Sequence, residues 1–113
     1  MTSSTDLTTV VATYRVRADK QAEFDRLLLR HYPTLKRLGL VTDEPPVIYR
    51  GFERDQQPIV FEIFTWKDPA APGKAHAHPE VKAIWEPMGA CVEDRKTGPR
   101  FDFPHVERLP PGR

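Results

Sequence analysis

The stretch QPIVFEIFTW, residues 57–66, carries apolar side chains on both parities of an extended run. Ile59, Phe61, Ile63 and Thr65 share one, and Val60, Glu62, Phe64 and Trp66 share the other. Successive residues of a strand point to opposite sides of the sheet. This strand therefore needs cover on both faces, which a sheet open to water on one side does not. Upstream, VIYRGFER (47–54) reads as its hairpin partner across a turn at Arg54–Gln57, with Asp43–Pro46 as the proline-marked loop leading in. Thr9–Arg17, TVVATYRVR, repeats the two-faced pattern, with Val10, Ala12, Tyr14 and Val16 on one parity and Val11, Thr13 and Arg15 on the other.

Between these strands, Phe24, Leu27, Leu28, His31, Leu35 and Leu38 recur at the spacing of one helix face, with Arg and Lys opposite. The spacing predicts a helix from about Asp19, an N-cap residue, to Leu38, stopped by Gly39. Pro33 removes one helical hydrogen bond, so a kink or break is expected near His31 and Tyr32. On that apolar stripe His31 reads first as a core histidine with its hydrogen bonds satisfied, and second as a ligand.

Downstream, Lys67–Gly73 holds Pro69 and Pro72 and reads as irregular or a single turn. His78 and Pro79 then open a second helix, with Val81, Ile84, Trp85 and Met88 as its buried stripe and Pro87 as its end or kink. Glu93–Lys96 and Gly98-Pro99 form a loop. RFDFPHVERL (100–109) gives a last strand, with Phe101, Phe103 and His105 on one parity and Pro104 marking an edge or bulge.

Strand, helix, strand, strand, helix, strand is the ferredoxin-like βαββαβ order, an α+β fold in which a four-stranded antiparallel sheet carries two helices on one face. The uncovered apolar face is expected to meet a second copy. The folded domain is expected over residues 8–109, between a loose tail at 1–7 and a short tail at 110–113.

The 113 residues are enough for one domain with a limited core. A net charge of +1, without a basic patch, gives no electrostatic footprint for nucleic acid. Neither a run long and apolar enough to cross a membrane nor a signal-peptide pattern is readable, so a cytoplasmic protein without a membrane partner is expected. The lone Cys91, between Ala90 and Val92, is expected to pack.

The chemistry-bearing residues gather between Phe61 and Met88, in FEIFTWKDPAAPGKAHAHPEVKAIWEPM, which holds both tryptophans and two of the four histidines. An acid within a strand, Glu62, is followed by Trp66 at the strand end and then by His76, His78, Pro79, Val81, Ile84 and Trp85. In this pattern the chain resembles the antibiotic-biosynthesis-monooxygenase group of dimeric α/β-barrel proteins, over roughly residues 9–107. The resemblance implies a homodimer through the outer face of the sheet and a pocket between sheet and helices in each protomer. It implies a small apolar or aromatic ligand. Enzymes of the group include cofactor-free oxygenases of phenolic or quinol-like polycyclic substrates, and relatives that bind and open haem. His76 is similar to the group's pocket histidine, and Trp66 to its aromatic wall. The chain departs from the group at Pro72 and Gly73, in a stretch that is usually helical, and at Val11 and Thr13, where a strand asparagine would be sought.

An imidazole can take a phenolic proton, and an aromatic, water-poor wall leaves the resulting anion electron-rich, so oxygen can react without metal or flavin. In that scheme His76 is catalytic, and Glu62, Trp66, His78 and Trp85 bind substrate, with the two tryptophans holding the ring and Glu62 orienting His76. No cofactor is expected. In the bland alternative the tryptophans are core, Glu62 is a paired structural acid, His76 is a cap or surface residue, and the protein is a non-catalytic ligand-binding or structural dimer. A metal site would need His76 and His78 on an extended segment, joined by Glu62 or His105. No Gly-rich phosphate loop, CxxC or GxSxG motif is present.

Overall fold

The computed structural model describes residues 7–95 and 99–112. Its strands are β1 (Thr9–Arg15), β2 (Val47–Phe52), β3 (Pro58–Thr65) and β4 (His105–Val106), and its α-helices are α1 (Gln21–Arg37), α2 (Ala71–Ala77) and α3 (Pro79–Ala90). The strands form one antiparallel sheet in the order β2-β3-β1-β4. This is the ferredoxin-like arrangement. Ala12 lies opposite Glu62 and Val10 opposite Phe64, so one register puts the acid in the centre of the sheet. The residues expected in the tail at 1–7 lie, except for Leu7, outside the described residues.

One face of the sheet is the core. Val10, Ala12 and Tyr14 of β1 and Val60, Glu62 and Phe64 of β3 are buried there against Phe24, Leu27, Leu28 and Leu35 of α1 and Val81, Ile84 and Met88 of α3. The Arg37–Glu80 ion pair ties α1 to α3 at the surface. The opposite face presents Val11, Phe61 and Ile63 half-buried, flanked on β2 by the exposed Val47 and Tyr49.

Helix α1 starts later than its spacing suggests, because residues Ala18–Lys20 form a single 3-10 turn and Lys20, without a side-chain cap, stands before the helix. Its end follows the glycine. Gly39 adopts φ 74°, its N–H donates to Lys36 O, and Leu40 N–H donates to Leu35 O, which closes the last turn and brings Leu40 against the Leu35 cluster.

Neither interior proline ends its helix. Pro33 lies within α1 and Pro87 within α3. The carbonyls four residues back belong to Leu29 and Ala83, both exposed, where water can take the missing bond.

Two elements differ from the sequence reading. The proline-rich connector is partly helical, which adds α2 to the two expected helices, because Pro72 sits in the first turn, where no N–H is needed. The last strand shrinks to His105–Val106, paired with Thr9 and Val10 at the sheet edge. Pro104 adjoins it with no N–H to give, although its carbonyl accepts from Val11 N–H at 3.2 Å. Among the described residues no helix is long and apolar enough to cross a membrane.

Candidate functional site

Helix α2 and the segment after α3 face each other across a cleft of about 510 Å³. Trp66 from the end of β3, Pro72 and His76 from α2, Trp85 and Gly89 from α3, and Phe101, Phe103 and His105 from the C-terminal segment line it, with Glu86, Arg100 and Asp102 as its charged groups. The walls are aromatic, and Phe103 meets Trp66 and Phe101 edge-on and Trp85 at a tilt. Phe103 lies 5.1 Å from Trp85, 5.7 Å from Phe101 and 6.3 Å from Trp66, centroid to centroid. Such tilted pairs are the arrangements that ring quadrupoles favour.

His76 reaches the cleft because α2 forms. Its imidazole is exposed and meets Trp85 edge-on at 5.0 Å. Trp66 also lines the cleft, is 1% exposed, and has its indole N–H buried without a hydrogen-bond partner among the described residues. His105 Nδ1 lies 2.8 Å from the carbonyl of Leu7, which orients its ring at the sheet edge.

Behind the Trp85 wall runs a chain of hydrogen bonds. The Tyr14 hydroxyl donates to Glu62 Oε1 at 2.8 Å, His31 Nδ1 lies 3.0 and 2.9 Å from the two Glu62 oxygens, and Trp85 Nε1–H donates to His31 Nε2 at 2.8 Å. Tyr14, Glu62 and His31 are essentially inaccessible to water. An indole nitrogen can only donate, so His31 Nε2 accepts and the ring hydrogen sits on Nδ1, toward the carboxylate. Burial first, then the Glu62 charge, then the hydrogen bond to it hold the Tyr14 phenol well above its ordinary value.

The residues singled out from sequence thus separate. His76, Trp66 and Trp85 meet at the cleft. Glu62 lies behind it and spends its carboxylate on Tyr14 and His31, so it does not orient His76. A glutamate on the inward parity of β3 meets the neighbouring strand and α1, whereas His76 stands on α2, beyond Trp85. His78 is not part of the cleft lining. It caps α3, its Nδ1 accepting from Glu80 N–H at 3.1 Å. His76 and His78 belong to different elements, and among the described residues no group of three His, Cys, Asp or Glu side chains could hold a metal ion.

Sequence reasoning missed Phe101, Phe103 and His105 as cleft residues, although their shared parity was the available signal. It also left His31 without its Glu62 partner, which only the packing of α1 on β3 brings to it.

The chain has the ferredoxin-like fold of the antibiotic-biosynthesis-monooxygenase group. SnoaB, a cofactor-independent oxygenase from Streptomyces nogalater, is 20% identical and superposes with a TM-score of 0.64 over 95% of this chain and 99% of its own. A conserved protein from Methanosarcina mazei Go1 is 21% identical with a TM-score of 0.61, over 91% of this chain and 96% of its own. A dimeric ferredoxin-like protein of unknown function from Jannaschia sp. CCS1 is 19% identical with a TM-score of 0.53, over 90% and 99%. At these identities the likeness is one of fold. No family model and no curated protein matches the sequence.

Proposed function

We propose that the protein is a homodimer that binds a small aromatic, quinol-like ligand in the cleft of each protomer and oxygenates it without a cofactor. The aromatic cleft, with His76 at its lip against Trp85, carries this reading. A planar ring lying against Trp85 and Phe103 presents its hydroxyl to His76, which takes the phenolic proton. The anion gives an electron to oxygen, the two radicals combine at the activated ring carbon, and the hydroperoxide loses water to leave a carbonyl. One oxygen atom enters the product and the other leaves in water. The proton held on His76 returns to the peroxide before water leaves; the ring C–H is oxidised to a carbonyl and O2 is the oxidant, so no metal or flavin is required. Apolar walls favour this course by leaving the anion poorly hydrated. SnoaB, of the same fold, is a cofactor-independent oxygenase.

The outer sheet face supports the dimer, with Val47 and Tyr49 exposed beside Val11, Phe61 and Ile63. The Jannaschia protein of this fold is dimeric. Oxygen uptake with a panel of hydroxylated naphthalenes and anthracenones tests the reaction. Uptake in the wild type that falls at least about tenfold in His76→Ala, a loss of about 1.4 kcal/mol of transition-state stabilisation, supports it. Equal rates in the two proteins remove His76 from the chemistry. The exposure of His76 favours a second reading, a dimer that binds the same ligand class without turnover; binding without oxygen uptake supports that one.

A further inference from the structure

We propose that Glu62 and His31 are positioning residues for Trp85, setting the inner wall of the cleft through the tautomer of the His31 ring. A neutral imidazole carries its hydrogen on either nitrogen, and the partner of one nitrogen decides what the other can do. Here both Glu62 oxygens lie within hydrogen-bond distance of Nδ1, while the Tyr14 hydroxyl occupies Oε1 from the β1 side. That leaves Nε2 bare, and the Trp85 indole donates to it. The other tautomer would set N–H against N–H and expel the indole. Because Trp85 touches both His76 and Phe103, its displacement would alter two walls of the cleft together.

Phe103 also stacks on the His31 ring at 5.9 Å and 16°, and Phe64 meets it edge-on, so the imidazole has little freedom to turn. The titratable groups around it are Tyr14 from β1, Glu62 from β3 and, beyond Trp85, His76 from α2.

The device is tested without any ligand by nitrogen-edited NMR of isotopically labelled full-length protein. The expected result at neutral pH is a His31 ring with its hydrogen on Nδ1 and a Trp85 indole hydrogen protected from exchange. A hydrogen on Nε2 at neutral pH, or an indole hydrogen exchanging as freely as an exposed one, overturns the proposal. A binding arm uses a dihydroxynaphthalene as probe and rests on the functional reading above. Glu62→Met, which frees the tautomer, is expected to weaken the probe about tenfold. Glu62→Gln, which retains an acceptor for Nδ1, should stay within about threefold of wild type. Equal affinity in all three proteins overturns the positioning role. A wild type that does not bind the probe counts against the functional reading, and the NMR result alone then decides for or against the device.

Discussion

The Tyr14 hydroxyl and the Glu62 carboxylate meet at 2.8 Å across β1 and β3, both sealed from water beneath the helices. The phenol is consequently held protonated well above its ordinary value of 10.0, by burial first and by the Glu62 charge second. In the unfolded chain it would ionise near that value. A raised folded pKa contributes stability that is complete below the unfolded pKa and is lost as pH climbs toward the folded one. Cys91 acts in the same direction. Burial, then its hydrogen bond to Glu23, raises its thiol from 9.0 to about 11. Unfolding free energy should therefore fall between about pH 9 and about pH 11, measured by urea titration at each pH. In Tyr14→Phe the fall should be shallower, and stability at neutral pH lower by about 1 to 2 kcal/mol through the lost bond to Glu62.

Replacing His31 by Leu removes one of two partners from a carboxylate with no access to water. Taking a hydrogen-bond donor away from a buried charged acceptor costs about 3 kcal/mol. Urea unfolding of His31→Leu should show a loss of that size. In Tyr14→Phe/His31→Leu/Glu62→Met, which removes the carboxylate together with both of its partners, much of it should return. A triple variant as unstable as the single one would mean that packing rather than charge governs the site.

The outer sheet face predicts association. Sedimentation equilibrium at micromolar protein should give twice the chain mass. Tyr49→Glu, at an exposed position of β2, should shift the equilibrium toward monomer by placing a charge on the face proposed to meet the second copy. A wild-type monomer would leave Phe61 and Ile63 without their expected cover.

The fold was largely legible because the period-two pattern of β1 and β3 and the helical stripes of α1 and α3 each follow burial on one side of the sheet. Where local chemistry and position compete, the reading slipped. Pro72 signals irregular chain in isolation, yet at the start of α2 it costs no hydrogen bond, and the turn it begins carries His76 to the cleft. Pro33 and Pro87 likewise lie inside helices whose exposed sides can forgo one bond. At the site, Trp66, His76 and Trp85 could be picked out by rarity and spacing, but the partner of Glu62 could not. Thirty-one residues separate His31 from Glu62, and only the packing of α1 on β3 brings them together.

The most direct test of the central claim, that the cleft holds an aromatic ligand, is tryptophan-fluorescence titration of wild type and Gly89→Leu with a dihydroxynaphthalene. Gly89 lines the cleft, and a Cβ there meets only Phe101 Cε1 at 3.9 Å, an ordinary contact, so a longer side chain enters the open volume. Losing a helical glycine should add up to about 1 kcal/mol to helix stability, which keeps the variant folded. The expected result is saturable quenching in wild type and its loss in a Gly89→Leu protein that melts no lower. Absence of binding in wild type, or undiminished binding in the variant, would contradict the placement of the ligand in this cleft.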